Sequence, residues 1–157
     1  MLPLSLPFVN ASITRIEALT VHHRREVTDA HTHEAILTDL IAATEVHSLH
    51  SQDVFIHLRA LHLHAGTLQT VGHPWPFPAA SLEALLRHHL AAEEQNIQTR
   101  TSALTLRAQH ATTRLHHLRA LDSLELHYVV LLAIQAELHA RRQGARPTLL
   151  GDLQLHV

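Results

Sequence analysis

Histidine and carboxylate recur four residues apart along this chain, as His22 with Glu26, Asp29 with His33, Asp53 with His57, and His89 with Glu93. On a helix such pairs share a face. Imidazole with carboxylate is a donor set for Zn, Fe, Mn, Co or Ni. His22, Glu26, Asp29 and His33 follow one 4-3-4 spacing, and "HHRRE" and "HHLAAEE" occupy corresponding places in the two halves. If the helices that carry them face each other, His22, Glu26, His89 and Glu93 would converge on one divalent metal. His57, His117 and Asp122 are further candidates. The competing reading is a set of solvated surface pairs worth a few tenths of a kcal/mol each.

A denser group lies in "EVHSLHSQDVFIHLRALHLHAG", Glu45 to Gly66, which holds His47, His50, His57, His62 and His64. With Val54, Leu61 and Leu68, and with Ile36, Leu40 and Ala43 upstream, four of these follow a 3-4 spacing. That spacing predicts histidines packed in a helical core, where a neutral imidazole needs partners for its nitrogens. His50, His57 and His64 are seven apart, or about 10 Å along a helix, too far to share a metal.

Three motifs resemble known families. "HHLAAEE" with the later "HLRALD" (His117 to Asp122) is similar to the HxxxE and HxxxxD ligand pairs of hemerythrin-type helical bundles; the HxxxH that the family places between them is missing. "RALHLHAGTLQTVG" resembles the acceptor helix of histidine phosphotransfer domains, with Arg59, His62, Gly66 and Gly72 at the matching positions and Ala65 where that family has Lys. The resemblance implies an exposed His62 as phosphoacceptor. "DAHTH" resembles the HxH of amidohydrolases, whose barrel of about 250 residues does not fit in 157.

Composition removes other chemistries. Without cysteine there is no disulfide framework, thiolate zinc site or cysteine nucleophile. There is no nucleophile elbow, P-loop, dinucleotide fingerprint or ferritin-type ExxH pair. Catalysis would depend on a bound metal, so a non-enzymatic role is expected. Every basic residue is arginine, and the formal charge is −2 with neutral histidines; protonating all 18 histidines would carry it to +16. Histidine titrates near pH 6.5, so the protein's field reverses sign in mild acid. Near neutrality the charge argues against constitutive nucleic-acid binding. The apolar run "VVLLAI" is too short to cross a membrane. "MLPLSLPFVNAS" lacks a basic leader and is expected to be an arm, not a signal peptide. A cytoplasmic location is the corresponding expectation.

The elements that must position these residues are helical. Glycine and proline cluster at both ends and at one central break (Gly66 to Pro78), leaving 8–65 and 79–143 rich in good helix formers. An all-α helical bundle of long antiparallel helices is expected over 1–157 as a single domain. It would comprise a first helical hairpin at 8–70, a Pro/Gly connector at 71–80, a second hairpin or one long helix at 81–143, and a tail at 144–157. "HSLHSQD" (His47 to Asp53) and "QNIQTRTS" (Gln95 to Ser102) are the expected breaks, giving helices near 14–49, 52–70, 81–98 and 102–142, with Ser81 as N-cap and Arg141 and Arg142 at a C-terminus before Gly144. Ile13 to Val21 is partly β-branched and allows a strand as a minor alternative. "IEALTVHH" echoing "LEALLRHH", and "HLRALH" echoing "HLRALD", suggest a duplicated hairpin. An unbroken helix over 81–143 would be about 95 Å long and would imply an elongated homodimer. The 3-4 repeat through Ala103, Leu106, His110, Thr113, His117, Ala120, Leu124, His127, Leu131, Ile134 and Leu138 is the expected coiled-coil seam. Two functions follow as expectations: a histidine-rich bundle that binds a divalent transition metal, or a homo-oligomeric interaction module with pH-responsive histidines and room for another protein partner. Phosphotransfer through His62 is a third.

Overall fold

The computed structural model describes residues 5–73 and 79–144. These form two α-helices, α1 (Leu6–Thr70) and α2 (Ala79–Arg142), with no strand among the described residues. Ile13 to Val21 is therefore helical. The all-α expectation holds, and so does that of long antiparallel helices.

The expected internal breaks do not occur. Helix α1 runs through His47 to Asp53, and α2 runs through Gln95 to Ser102. The residues that weaken a helix have their polar groups satisfied without opening it. Thr99, Thr101 and Thr105 donate back to the carbonyls of Gln95, Ile97 and Thr101 at 2.9–3.0 Å. Ser48, Ser51 and Asn96 bond to the opposite helix instead. Four expected helices become two, and the echoed segments "IEALTVHH" and "LEALLRHH" lie one on each helix, so neither half of the sequence is a hairpin. Ser81 is inside the first turn of α2 and is not its N-cap, because Ala79 and Ala80 start the helix earlier. The Pro/Gly connector beyond His73 and the tail beyond Gly144 lie outside the described residues.

Both helices end on glycine. Gly72 and Gly144 each adopt φ 73°, the left-handed conformation that costs other residues about 1–2 kcal/mol. At the end of α1 the His73 N–H reaches the Leu68 carbonyl at 3.0 Å and the Gly72 N–H reaches that of Gln69 at 3.2 Å. That paired arrangement is a Schellman motif. His139, Arg141 and Arg142 in the last turn of α2 suit its negative dipole end.

The chain divides into two compact units. In the first, residues 5–31 pack with residues 111–144. Leu6, Val9, Ile13, Ile16, Thr20, His23, Val27 and Ala30 follow a 3-4 spacing and are buried or half-buried, as are Arg114, His117, Leu121, Leu124, Tyr128, Leu131, Gln135 and Leu138 opposite. The antiparallel sense is fixed by Gln135 donating to Asn10 at 2.8 Å, Tyr128 to Glu17 at 3.2 Å, and the meeting of His23 with His117. In the second unit, Thr32–His110, the seam runs through Leu37, Ile41, Thr44, Ser48, Ser51, Phe55, Leu58, His62 and Ala65, against Leu82, Leu86, His89, Glu93, Asn96, Ala103 and His110. Both seams are 3-4 repeats of the coiled-coil kind.

The sequence stripe through Ile36, Leu40, Ala43, His47, His50, Val54, His57, Leu61 and His64 lies one residue off this seam. All but half-buried Val54 are exposed, and Leu68, the last residue of the expected stripe, is also half-buried. The stripe expected on α2 is half right: Ala103, His110, His117, Leu124, Leu131 and Leu138 are seam residues, whereas the partners between them are Arg107, Arg114, Leu121, Tyr128 and Gln135.

Replacing Gly72 by Ala puts a Cβ on a left-handed residue, where no neighbouring atom stands within 4 Å to clash. The expected loss is purely conformational, about 1 kcal/mol, and reads as a melting midpoint a few degrees lower. Gly66, inside α1 with the same open surroundings, should respond in the opposite direction to Gly66→Ala.

Candidate functional site

Two polar clusters interrupt the apolar seams. In the first unit, four imidazoles gather from both helices. His23 Nδ1 lies 2.7 Å from His117 Nδ1, so one ring donates its proton to the other. The His22 ring centroid is 5.3 Å from that of His23 and 6.3 Å from that of His117, and His116 lies 5.5 Å from His117. Glu26 Oε1 is 3.9 Å from His22 Nδ1. Burial, then His117, His22 and His116, hold the His23 pKa below its ordinary value, with Glu26 opposing. His23 and His117 are half-buried because they occupy seam positions; His22 and His116 flank them in solvent.

The second cluster lies in the other unit. The Ser48 hydroxyl donates to Glu93 Oε1. His89 Nε2 is 2.6 Å from the Ser51 carbonyl and 2.9 Å from its hydroxyl. A carbonyl only accepts, so the proton is on Nε2, and that nitrogen cannot serve as a base for Ser51. Ser51 is also 4% exposed, so this Ser–His pair is no nucleophile. Asn96 Nδ2 donates to the Thr44 carbonyl at 3.0 Å, and the Phe55 ring stacks beside His89. The Ser48 and then the Ser51 hydroxyls hold Glu93 below the usual carboxylate range, against burial. The Glu93 Oε2 and His62 Nδ1 atoms are buried without a hydrogen-bond partner.

The residues expected to ligate a metal are dispersed. His22 and Glu26 belong to the first unit, His89 and Glu93 to the second, and each pair has its own neighbours. Asp29 pairs with Arg25 at 3.8 Å. His33 stacks on His110 with centroids 4.8 Å apart. His57 is exposed and its Nδ1–H donates to the Asp53 carbonyl at 2.6 Å. Asp122 lines an open groove of about 620 Å³ in the first unit with Glu17, Arg24, Leu118, Glu125 and Tyr128. Among the described residues no group of three or more His, Asp or Glu side chains is placed to hold a metal ion. His62 is half-buried, where a phosphoacceptor would be exposed.

Sequence reasoning missed His23, His116, Ser48, Ser51 and Asn96. The signal for His23 was available, since it continues the 3-4 series of Ile13, Ile16 and Thr20. No helix among the described residues is long and apolar enough to cross a membrane. Compared with protein-family models, with curated proteins and with solved structures, the chain matches none.

The two clusters separate in pH. His23 is depressed in the folded state, so its share of stability is complete above its unfolded value near 6.5 and is lost as pH falls through the lowered folded value. Glu93 is also depressed, so its share is complete above the unfolded carboxylate value near 4.5 and is lost only at more acidic pH. Hydrogen exchange should therefore show residues 16–26 and 114–121 loosening as pH falls below about 6.5, while 44–51 and 89–96 stay protected until below about pH 4.5. The His23→Gln, His117→Gln pair should remove the first transition and leave the second.

Proposed function

We propose that this chain is a helical assembly module: a two-helix protein whose outer apolar faces associate with another copy, a homodimer being the simplest form. The observation that carries this reading is the distribution of its large aliphatic side chains. Among the described residues the apolar core holds Leu6, Val9, Ile13, Ala30, Ile41, Ala65, Leu82 and Ala103, whereas 22 large hydrophobic residues are exposed. Single exposed leucines are normal; runs of them on both helices are the mark of an interaction surface. Moving a large aliphatic side chain from solvent into an interface is worth about 1.5–3 kcal/mol, so a few such residues are enough to drive association. The histidines around these faces give the assembly its expected response to pH. A heterologous protein partner would use the same surfaces.

Binding between folded copies stabilises by mass action. The melting midpoint should therefore rise by several degrees over a hundredfold increase in protein concentration, with sedimentation showing a mass above 17.6 kDa. A concentration-independent midpoint together with a monomer mass would refute the reading.

A second reading keeps the divalent transition metal (Zn, Fe, Mn, Co or Ni). In its favour is the i,i+4 pair of His22 and Glu26 beside His23 and His117, although these side chains as placed do not converge on one ion. A metal bound there should raise the midpoint at pH 7.5, fade below about pH 6 as the imidazoles protonate, and do neither in His22→Ala or His117→Ala. His89→Ala, in the other unit, should behave like wild type.

A further inference from the structure

The stretch from Glu45 to Gly66, so dense in histidine, has a second regularity that the hairpin leaves unused. Val46, Leu49, Asp53, Ile56, Ala60 and Leu63 follow a 3-4-3-4-3 spacing on the side of α1 turned away from its seam, and all are exposed. Val46, Leu49, Ile56 and Leu63 are 62–68% exposed, among the most open aliphatic residues described. With Ala42 the stripe covers about three heptads, the length at which such spacing argues a coiled coil. A solvated helix face has no reason to keep that period. The intramolecular seam, offset from it around the same helix, already accounts for the packing of α1 on α2.

We propose that this outer stripe of α1 is the docking seam for the same stripe of a second copy, packed antiparallel about a two-fold axis beside Gln52. The proposal rests on the assembly reading above and names its surface and partner. Two features select the copy and the orientation. Glu45 and Arg59 flank the stripe on one side, each seven residues from Gln52. Antiparallel packing about Gln52 therefore sets Glu45 of each copy against Arg59 of the other, two symmetric ion pairs from one sequence. Glu45 takes Arg100 of its own hairpin on Oε1, one of its two carboxylate oxygens. A parallel arrangement would instead lay Asp53 against Asp53, like charges in the centre of an apolar seam; the antiparallel one moves each Asp53 opposite Leu49. The other flank carries His50, His57 and His64, all exposed, which form a polar rim. The single acid in the stripe then acts as a register-setting polar residue, at a cost in affinity.

The test uses the full chain, which has no native cysteine. Sedimentation equilibrium should show a wild-type dimer weakened at least tenfold by Leu49→Glu or Ile56→Glu, with helical circular dichroism unchanged because both side chains are largely exposed. Asp53→Leu should tighten it. Arg59→Glu should weaken it, and adding Glu45→Arg to that variant should restore it. Gln52→Cys should cross-link to its own copy with a short bis-maleimide, whereas Gln98→Cys, exposed on α2, should not. A wild-type dimer that ignores Leu49→Glu and Ile56→Glu, or whose Gln52→Cys does not cross-link, overturns this seam and leaves the assembly reading standing. A wild-type monomer at every concentration overturns both.

Discussion

Each helix of this protein is covered by one other helix, and a pair of helices buries only one stripe on each. In a larger bundle the a, d and flanking positions are all enclosed; here, among the described residues, the interior is little more than the seam. That is why the buried apolar set is short, why only Val9 among the large side chains of the described residues is wholly enclosed, and why so many leucines and isoleucines remain in solvent. Every polar residue in the seam therefore carries unusual weight, since few apolar neighbours share the task of holding the helices together.

The seam polar groups give register where the apolar ones give adhesion. A strip of leucine and alanine can slide by one heptad with little change in area. Ser48 on Glu93, His89 on the Ser51 carbonyl, and Asn96 on the Thr44 carbonyl cannot, because a slip leaves each of them half-buried without a partner, at about 1–3 kcal/mol apiece. The His23–His117 contact acts likewise in the first unit. Buried polar groups used in this way lower stability while excluding alternatives. The protonation of His23 and that of Glu93 then weaken different parts of the hairpin at different pH, because an imidazole and a carboxylate start from different ordinary values and each is held below its own, His23 first by burial and Glu93 first by the Ser48 hydroxyl.

The helical class was legible because glycine and proline are absent from two long stretches and dense between them. Helix continuity was not, for a physical reason: Asn, Ser and Thr weaken an isolated helix by competing for its backbone, but here Thr99 and Thr101 bond back within the turn and Asn96, Ser48 and Ser51 have cross-helix partners, which no local rule can see. The stripe assignment failed in an instructive way. A search for apolar periodicity passes over a seam containing Thr44, Ser48, Ser51 and His62 and settles on the neighbouring line through Leu40, Leu61 and Leu68. On α2 the same bias selected Leu106, Ala120 and Ile134 over Arg107, Leu121 and Gln135, while the heptad-spaced set from Ala103 to Leu138 was right. Pairing His22–Glu26 with His89–Glu93 assumed that echoed segments face each other. In an antiparallel hairpin, equivalent positions on the two helices meet only near its midpoint, and these lie in different units.

What the histidines do depends on the side of the helix they occupy. His23, His89, His110 and His117 lie on the seams, where a ring must satisfy specific partners. His47, His50, His57 and His64 are exposed, and three of them border the outer apolar stripe of α1 at intervals of seven. A single composition bias thus yields two populations. For the inner set, protonation acts on individual contacts: a second proton on the His23–His117 pair leaves two donors facing each other with no acceptor between them. For the outer set it acts through the field, as part of the change from −2 towards +16, which falls on every surface at once and is screened beyond about 10 Å at 0.1 M salt. Salt therefore separates the two. Raising ionic strength weakens repulsion between copies but cannot restore a hydrogen bond that has lost its acceptor, so the inner contacts set the limit on how far into acid the fold persists.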